Sequence, residues 1–169
     1  SRNWLDGTPD KYYGGSAGIF RGHKGSLFDG GIREPGILCW PGGIPGGVES
    51  DDICMTMDIV PTFLEIAGID LPDEPAIDGS SILRTARGEA PSPHDELVWE
   101  YYGQLAMRRG PWKLVLDGQL DFGRGGADPV HLSNLDDDPG ERVNLAAQHP
   151  EMVEDMASAV RAWFAEVTT

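Results

Sequence analysis

The hydrophobic positions of this chain follow two periods, which predict helices in some segments and strands in others. Residues 58–67 carry apolar side chains at the spacing of one buried helix face: Val60, Phe63, Leu64 and Ala67. Residues 150–167 carry a second such stripe: Val153, Met156, Val160, Trp163 and Val167. Asp58 is placed to cap the first helix and Gly68 to end it. Two amphipathic helices are therefore predicted.

Shorter apolar runs predict strands. Three runs lie at residues 96–102, 104–109 and 112–117, separated only by Gly103 and Gly110-Pro111. Connections this short join antiparallel neighbours. Residues 130–132 are a candidate fourth strand. Because the helix at 150–167 needs an apolar surface to cover, we expect it to pack on this small sheet.

An earlier apolar run, Gly36 to Trp40, ends at Pro41-Gly42-Gly43 and predicts a buried strand of a parallel or mixed sheet. Proline-rich segments at 71–75 and 90–93 separate it from the later strands. We therefore predict a domain boundary near Pro91. Residues 1–90 would close a larger α/β domain, and residues 91–169 would form a small α+β subdomain.

Composition excludes several kinds of partner. The 169 residues contain 28 acidic and 13 basic side chains, a net charge of −15, which would repel nucleic acid and anionic membranes. No stretch approaches the roughly 20 apolar residues of a membrane span. The two cysteines, Cys39 and Cys54, are too few for a disulfide framework and are expected to be buried, reduced thiols.

Lys24 is the main candidate for chemistry. It stands in the run Gly22-His23-Lys24-Gly25, just before the predicted strand at 36–40. Glycine allows a ligand to approach the backbone closely, and an ammonium group offers a point charge with three donors. This combination suits contact with a sulfate or phosphate oxyanion. His23 adjoins it and could line the same pocket.

A second candidate site is weaker. Asn134, Asp136 and Asp138 alternate like the ligands of a calcium loop, but Pro139 stands where the loop needs its glycine. The pattern favours a turn at Asp138-Pro139-Gly140-Glu141.

The segment from Arg21 to Gly42, RGHKGSLFDGGIREPGILCWPG, resembles a segment of the sulfatase branch of the alkaline-phosphatase-like enzymes. Further blocks resemble the same family in the same order, at residues 56–68, 78–83, 109–115, 132–141 and 144–146. In that family the lysine equivalent to Lys24 contacts the sulfate of the substrate. The resemblance implies an α/β fold: the end of a mixed-sheet alkaline-phosphatase-like domain, followed by a small antiparallel sheet with a packed C-terminal helix.

The resemblance also implies groups that this chain lacks. Sulfatases use a formylglycine made from cysteine in Cys-x-Pro-x-Arg, and a calcium-like cation bound near an Asp-Asn-Gly. This sequence contains no Asp-Asn-Gly, and Cys39-Trp40-Pro41-Gly42-Gly43 has glycine in place of the arginine. Cys39 is therefore assigned to a strand end and rejected as nucleophile. We expect no metal ligands or cofactor in this chain, with calcium and formylglycine in the intact parent protein.

The sequence thus predicts the C-terminal portion of a sulfatase that hydrolyses sulfate esters, with Lys24 and His23 as its only site residues and no activity by itself. Its partners would be the sulfate ester, the missing N-terminal part and, through exposed apolar surface, other copies of the chain. Two alternatives stay open: a parent phosphodiesterase or phosphonate hydrolase of the same superfamily, and a non-catalytic module that binds sulfated ligands. The family is usually exported, which suggests a periplasmic or secreted parent. The substrate stays undefined.

Overall fold

The computed structural model describes residues 16–72, 76–121 and 124–168. The helices are α1 (Asp29–Ile32), α2 (Ile59–Ala67), α3 (Leu83–Ala86) and α4 (Pro150–Val167), with a 3₁₀ turn at Thr56–Asp58. The strands are β1 (Glu96–Tyr101), β2 (Gln104–Arg109), β3 (Trp112–Leu116), β4 (Gln119–Asp121), β5 (Arg124–Gly126) and β6 (Val130–Asn134). These elements form two compact units: the sheet unit, residues 16–34 with 96–168, and the helical unit, residues 35–95.

The sheet unit contains a four-stranded antiparallel sheet in the order β1-β2-β3-β6. The first hairpin turns at Tyr102 and Gly103, whose φ angles of 47° and 81° are both positive, as a type I′ turn requires. Trp112 begins β3 directly after Gly110-Pro111. The predicted strands at 96–102, 104–109, 112–117 and 130–132 are thereby confirmed, with boundaries that differ by at most two residues.

Each face of this sheet is covered by a different part of the chain. On one face α4 closes a core of buried side chains: Met107, Leu114, Leu116, Leu132, Met156, Ala157 and Val160. On the other face Leu27 and Phe28 pack against Ala106 and Val115. Because successive side chains of a strand point to opposite faces, Lys113 shares the face of Val115 rather than that of Leu114. The predicted packing of the C-terminal helix on the sheet is confirmed.

The helical unit is organised around Asp58, which precedes α2 as predicted. Its carboxylate does not cap α2; it accepts hydrogen bonds from the amides of Met55 (2.7 Å) and Ser80 (2.9 Å) instead. The Nε2 atom of His94 lies 2.8 Å from the same carboxylate. Gly68 ends α2 with a φ of 67°, as predicted. Asp58 therefore joins the loops on either side of α2.

Three expectations about burial in the helical unit were wrong. Residues 36–40 form no strand, and Ile37 is 93% exposed. On α2 the predicted buried stripe is largely exposed, with Phe63 60% accessible, whereas Pro61 and Thr62 are buried. Both cysteines are free and exposed. A strand needs a hydrogen-bonded neighbouring strand, which residues 36–40 lack within the described chain. An apolar helix stripe needs an opposing surface, and the described residues do not provide one for the stripe on α2.

The predicted domain boundary near Pro91 concerns the intact parent and stays a prediction. Within this chain, residues 16–34 pack with residues 96–168 rather than with residues 35–95. Among the described residues, none of the helices has the length and apolar character needed to cross a membrane.

Candidate anion-binding site

Lys24 lies at the exposed tip of a tight turn in the sheet unit. The amide of Ser26 donates to the carbonyl oxygen of His23 at 2.9 Å, which closes the turn. Gly25, with a φ of 96°, occupies the third position, where a type II turn requires positive φ. Lys24 occupies the second position, and its side chain is exposed. The turn therefore presents the ammonium group outward from a hydrogen-bonded backbone.

The segment after the turn folds back closely on it. The amide of Gly30 in α1 donates to the carbonyl oxygen of Arg21 at 2.6 Å. A Cβ atom at Gly31 would lie 2.2 Å from the carbonyl oxygen of Ser26 and 2.5 Å from that of His23. Since real Cβ atoms do not approach so closely, only glycine allows α1 to pack on the Lys24 turn. The glycines of this segment are needed for its shape.

His23 is joined to the same turn through its ring. Its Nδ1 atom lies 2.8 Å from the carbonyl oxygen of Lys24. A carbonyl oxygen only accepts hydrogen bonds, so Nδ1 carries the proton. The ring therefore reaches other groups through Nε2, which donates a proton only when the imidazole is charged.

Gln104 of β2 supports the middle of the loop between Arg21 and Asp29, here called the lysine loop. Its side-chain nitrogen donates to the carbonyl oxygen of Gly25 at 3.0 Å. Its side-chain oxygen accepts from the amides of Leu27 (3.4 Å) and Gln119 (2.9 Å). Gln104 is completely buried. One side chain of the sheet thus holds the residue next to Lys24.

Three charged groups are buried where the lysine loop meets the sheet. Lys113 of β3 is 0% exposed, and its ammonium donates to Oδ1 of Asp29 at the start of α1. Glu141 is also 0% exposed, and its Oε2 atom accepts from the Asp29 amide at 2.6 Å. Its Oε1 atom lies 3.2 Å from the Lys113 ammonium without the alignment of a hydrogen bond, so this attraction is electrostatic.

Within this cluster, burial favours the uncharged form of the Glu141 carboxyl. Removing the Glu141 carboxyl from water raises its pKa, and the attraction of Lys113 opposes that rise without cancelling it. The Asp29 charge adds to the rise because it repels a second carboxylate. The single ammonium group of Lys113 thus interacts with both Asp29 and Glu141.

Arg21 begins the lysine loop and packs on the same face of the sheet. Its guanidinium donates to the Glu141 carbonyl oxygen at 2.8 Å and lies 4.3 Å from the centre of the Phe28 ring. Its NH1 atom is also 3.2 Å from Nδ1 of His131. Burial of His131, together with the charge of Arg21, lowers the pKa of that imidazole to about 4. A neutral His131 therefore accepts from Arg21.

The sequence indicated Lys24 and His23 as candidate site residues but did not indicate the buried groups behind them. A signal for one of them was present: Lys113 stands in the apolar strand Trp112–Leu116, and a lysine buried among such residues needs an ionic partner. Its partners are 84 and 28 residues away in the chain, at Asp29 and Glu141, so local patterns do not identify them.

The predicted turn at Asp138–Glu141 is confirmed, since the amide of Glu141 donates to the carbonyl oxygen of Asp138 at 3.0 Å. The Asp138 carboxylate accepts from the amides of Arg142 and Val143, which accounts for its position without a cation.

The described residues do not fit a metal ion by themselves. Within residues 16–72, 76–121 and 124–168, His, Cys, Asp and Glu side chains form no group of three or more suited to hold one. Asp29 and Glu141, the buried acids where the lysine loop meets the sheet, are already bound to Lys113.

Comparison with known proteins identifies the family. The family model described as N-sulphoglucosamine sulphohydrolase, C-terminal, matches residues 15–163. Arylsulfatase A of Bos taurus is 30% identical over 169 residues, which cover 88% of this chain and 33% of the relative. A sulfatase of Formosa agariphila is 33% identical over 156 residues, covering 83% and 28% of the two chains.

A solved structure from work on the metabolism of multiple glycosaminoglycans by Bacteroides thetaiotaomicron has a similar fold. It superposes with a TM-score of 0.74 at 27% identity, covering 86% of this chain and 32% of that one. The chain thus spans about a third of the length of these relatives. The expected fold class, alkaline-phosphatase-like α/β with an antiparallel sheet and C-terminal helix, is confirmed. The chain belongs to the sulfatase family and matches its C-terminal part.

Proposed function

We propose that the intact parent of this chain hydrolyses sulfate esters and that Lys24 contacts the sulfate group. The observation that carries this proposal is an exposed ammonium on a turn whose backbone is hydrogen-bonded and supported by Gln104. Family membership supports the reaction class. The overall charge of −15 makes a local cation necessary for an anionic substrate.

The chemistry of the sulfate group explains why a lysine is suitable. A sulfate spreads negative charge over several oxygens, and an ammonium group supplies three donors on a flexible stem. With an effective dielectric constant of about 20, two unit charges about 4 Å apart attract by about 4 kcal/mol. Lys24 would neutralise charge on the sulfate. His23, when charged, would donate from Nε2 to a sulfate oxygen or to the leaving oxygen.

We further propose that the intact parent obtains its nucleophile and its divalent cation from residues outside this chain. The described donor groups do not fit a metal ion, and Cys39 lacks the arginine of the formylglycine motif. Formylglycine would supply the attacking oxygen, and calcium would polarise the sulfate. The isolated chain would accordingly be inactive.

The test is a substitution of Lys24 in the full-length parent. We expect Lys24→Ala to lower kcat for p-nitrophenyl sulfate by about 10²- to 10³-fold, as the loss of one donor to transition-state charge does in other hydrolases. Thermal unfolding should be nearly unchanged because the side chain is exposed. Arg161→Ala, which removes an exposed cation from α4, is the matched control and should retain full activity.

Other outcomes would favour other functions. Unchanged turnover in Lys24→Ala would contradict the sulfate contact. A parent that hydrolyses bis-p-nitrophenyl phosphate in preference to p-nitrophenyl sulfate would be a phosphodiesterase. Binding of sulfated sugars without any turnover would indicate a binding module.

A further inference from the structure

Both ends of the lysine loop are attached to one buried residue. The Arg21 guanidinium donates to the backbone carbonyl oxygen of Glu141, and the Asp29 amide donates to its carboxylate. Glu141 is 112 residues beyond Asp29 in the chain and is completely buried. A shift of its carboxylate would therefore be transmitted to the start of α1, five residues after Lys24.

Lys113 sets the position of the two acids relative to each other. Its ammonium lies between Oδ1 of Asp29 and Oε1 of Glu141, and no part of its side chain is exposed. Without this cation the two carboxylates would repel each other in a site from which water is excluded. Lys113 therefore holds together the groups that attach the lysine loop to the sheet.

The packing on this face leaves the lysine loop little freedom to move. Phe28 is completely buried against Val115 and Ala106, and the backbone of Gly31 packs so closely on the carbonyl oxygens of Ser26 and His23 that even a Cβ atom would not fit. A small displacement of Asp29 would consequently be passed on to the turn. Misplacement of a charge-stabilising group by about 1 Å costs on the order of 10²-fold in rate.

We propose that the buried cluster Lys113, Asp29 and Glu141 positions Lys24 for its contact with the sulfate group. These are positioning residues, which act on the reaction through Lys24. The inference rests on the function proposed above for Lys24. It adds that the C-terminal sheet, which carries Lys113, determines the geometry of the anion site.

A double-mutant cycle in the full-length parent tests this inference. We expect Lys113→Met to lower kcat/KM for p-nitrophenyl sulfate on the order of 10²-fold. In the Lys24→Ala background the same substitution should lower it less than about 3-fold, because the residue through which it acts is already gone. Inorganic sulfate should inhibit Lys113→Met more weakly than the unsubstituted enzyme. In the Lys24→Ala background, adding Lys113→Met should leave the inhibition by sulfate unchanged.

Ser133→Ala is the matched control. Ser133 is paired with Lys113 across β3 and β6 and is completely buried, and its hydroxyl has no hydrogen-bond partner among the described residues. Its substitution changes a buried polar group beside Lys113 without touching the lysine loop. It should leave kcat/KM unchanged in both backgrounds.

Glu141→Gln provides a milder variant if Lys113→Met does not fold. The side-chain oxygen of glutamine can still accept from the backbone amide of Asp29. Burial already raises the pKa of Glu141, which favours an uncharged side chain at this position. It should fold, lower kcat/KM about 10-fold or less, and lose this effect in the Lys24→Ala background.

If Lys113→Met lowers kcat/KM equally in the unsubstituted and the Lys24→Ala enzymes, and Lys24→Ala alone is impaired, the positioning role is overturned. The sulfate contact of Lys24 would still stand. Loss of folding in Glu141→Gln would overturn the positioning role too, because the cluster would then serve stability. Full activity of Lys24→Ala would overturn the sulfate contact and this inference together.

Discussion

Lys24 and Lys113 place the same side chain in opposite surroundings, and the surroundings determine what each one does. Lys24 is exposed at the tip of a turn, so its charge is available to an anion from solution. Lys113 is 0% exposed and is bound to Asp29 and Glu141, so its charge is used within the fold. The proposed contact with sulfate therefore belongs to Lys24, and Lys113 contributes by holding the loop.

His131 is the residue from which we expect a pH dependence of stability. Its pKa is about 4 in the folded chain and 6.5 in a solvated reference. Between these values the unfolded chain binds more protons, so stability is lost as the pH falls from 6.5 toward 4. The complete loss would be roughly 3 kcal/mol. Urea unfolding of the chain at a series of pH values measures it.

His131→Asn is the control for this pH dependence, because asparagine does not titrate and its side-chain oxygen accepts from Arg21. The unfolding free energy of the unsubstituted chain minus that of His131→Asn should decrease as the pH falls from 6.5 toward 4. Asp128 and Asp138 favour the charged imidazole but act less strongly than burial and Arg21. A difference that stays constant with pH would show that His131 titrates normally.

At the scale of elements, the C-terminal helix is the clearest match between sequence and structure. Helix α4 extends from Pro150 to Val167 as predicted, with Pro150 at its first turn and Glu151 near its positive end. Met156 and Val160 are completely buried against the sheet. Val167, at the end of the predicted stripe, is exposed because it lies in the helix's last turn.

Two substitutions on α4 test this packing. Met156→Ala should lower the free energy of unfolding by about 2–5 kcal/mol, because it removes a completely buried side chain and leaves a cavity. Val167→Ala on the same helix should change it by less than about 0.5 kcal/mol. Equilibrium unfolding measures both values. Equal effects at the two positions would contradict the described orientation of the helix.

At the scale of the whole molecule, the helical unit has an apolar surface that lacks cover within the described chain. Ile37 is 93% exposed, and Val60 and Phe63 on α2 are 52% and 60% exposed. An apolar surface of this kind usually meets another protein surface. In the intact parent we expect the remaining part of the protein to cover it.

The isolated chain should therefore self-associate. Sedimentation velocity should show the mean mass rising with concentration, and the double substitution Val60→Ser and Phe63→Ser should reduce that rise. Val143→Ser, at an equally exposed valine of the sheet unit, is the control and should leave the association unchanged. A monomer at every concentration would contradict this expectation.

The isolated chain should also show no turnover of p-nitrophenyl sulfate, because it lacks an Asp-Asn-Gly and a complete Cys-x-Pro-x-Arg. The full-length parent under the same conditions is the positive control. Measurable hydrolysis by the isolated chain, abolished by Lys24→Ala, would show that this chain carries a catalytic site of its own.

The sequence alone determined the elements whose signals are local. Glycines at residues 103 and 110 predicted the hairpins of β1 to β3, and a stripe at helical spacing predicted α4. It also indicated Lys24, because the glycines around it and the family motif lie within a few residues. Such features depend on neighbours along the chain, which the sequence shows directly.

Only the tertiary structure decided which surfaces are covered and what lies behind the proposed anion site. The run at 36–40 and the stripe on α2 have the pattern of buried elements, but burial depends on a partner surface that local pattern does not reveal. Lys113 reaches Asp29 because β3 directs it to the face where α1 packs, 84 residues earlier in the chain. Contacts over such separations arise from the packing of whole elements, which is why the residues proposed to position Lys24 became visible only in the fold.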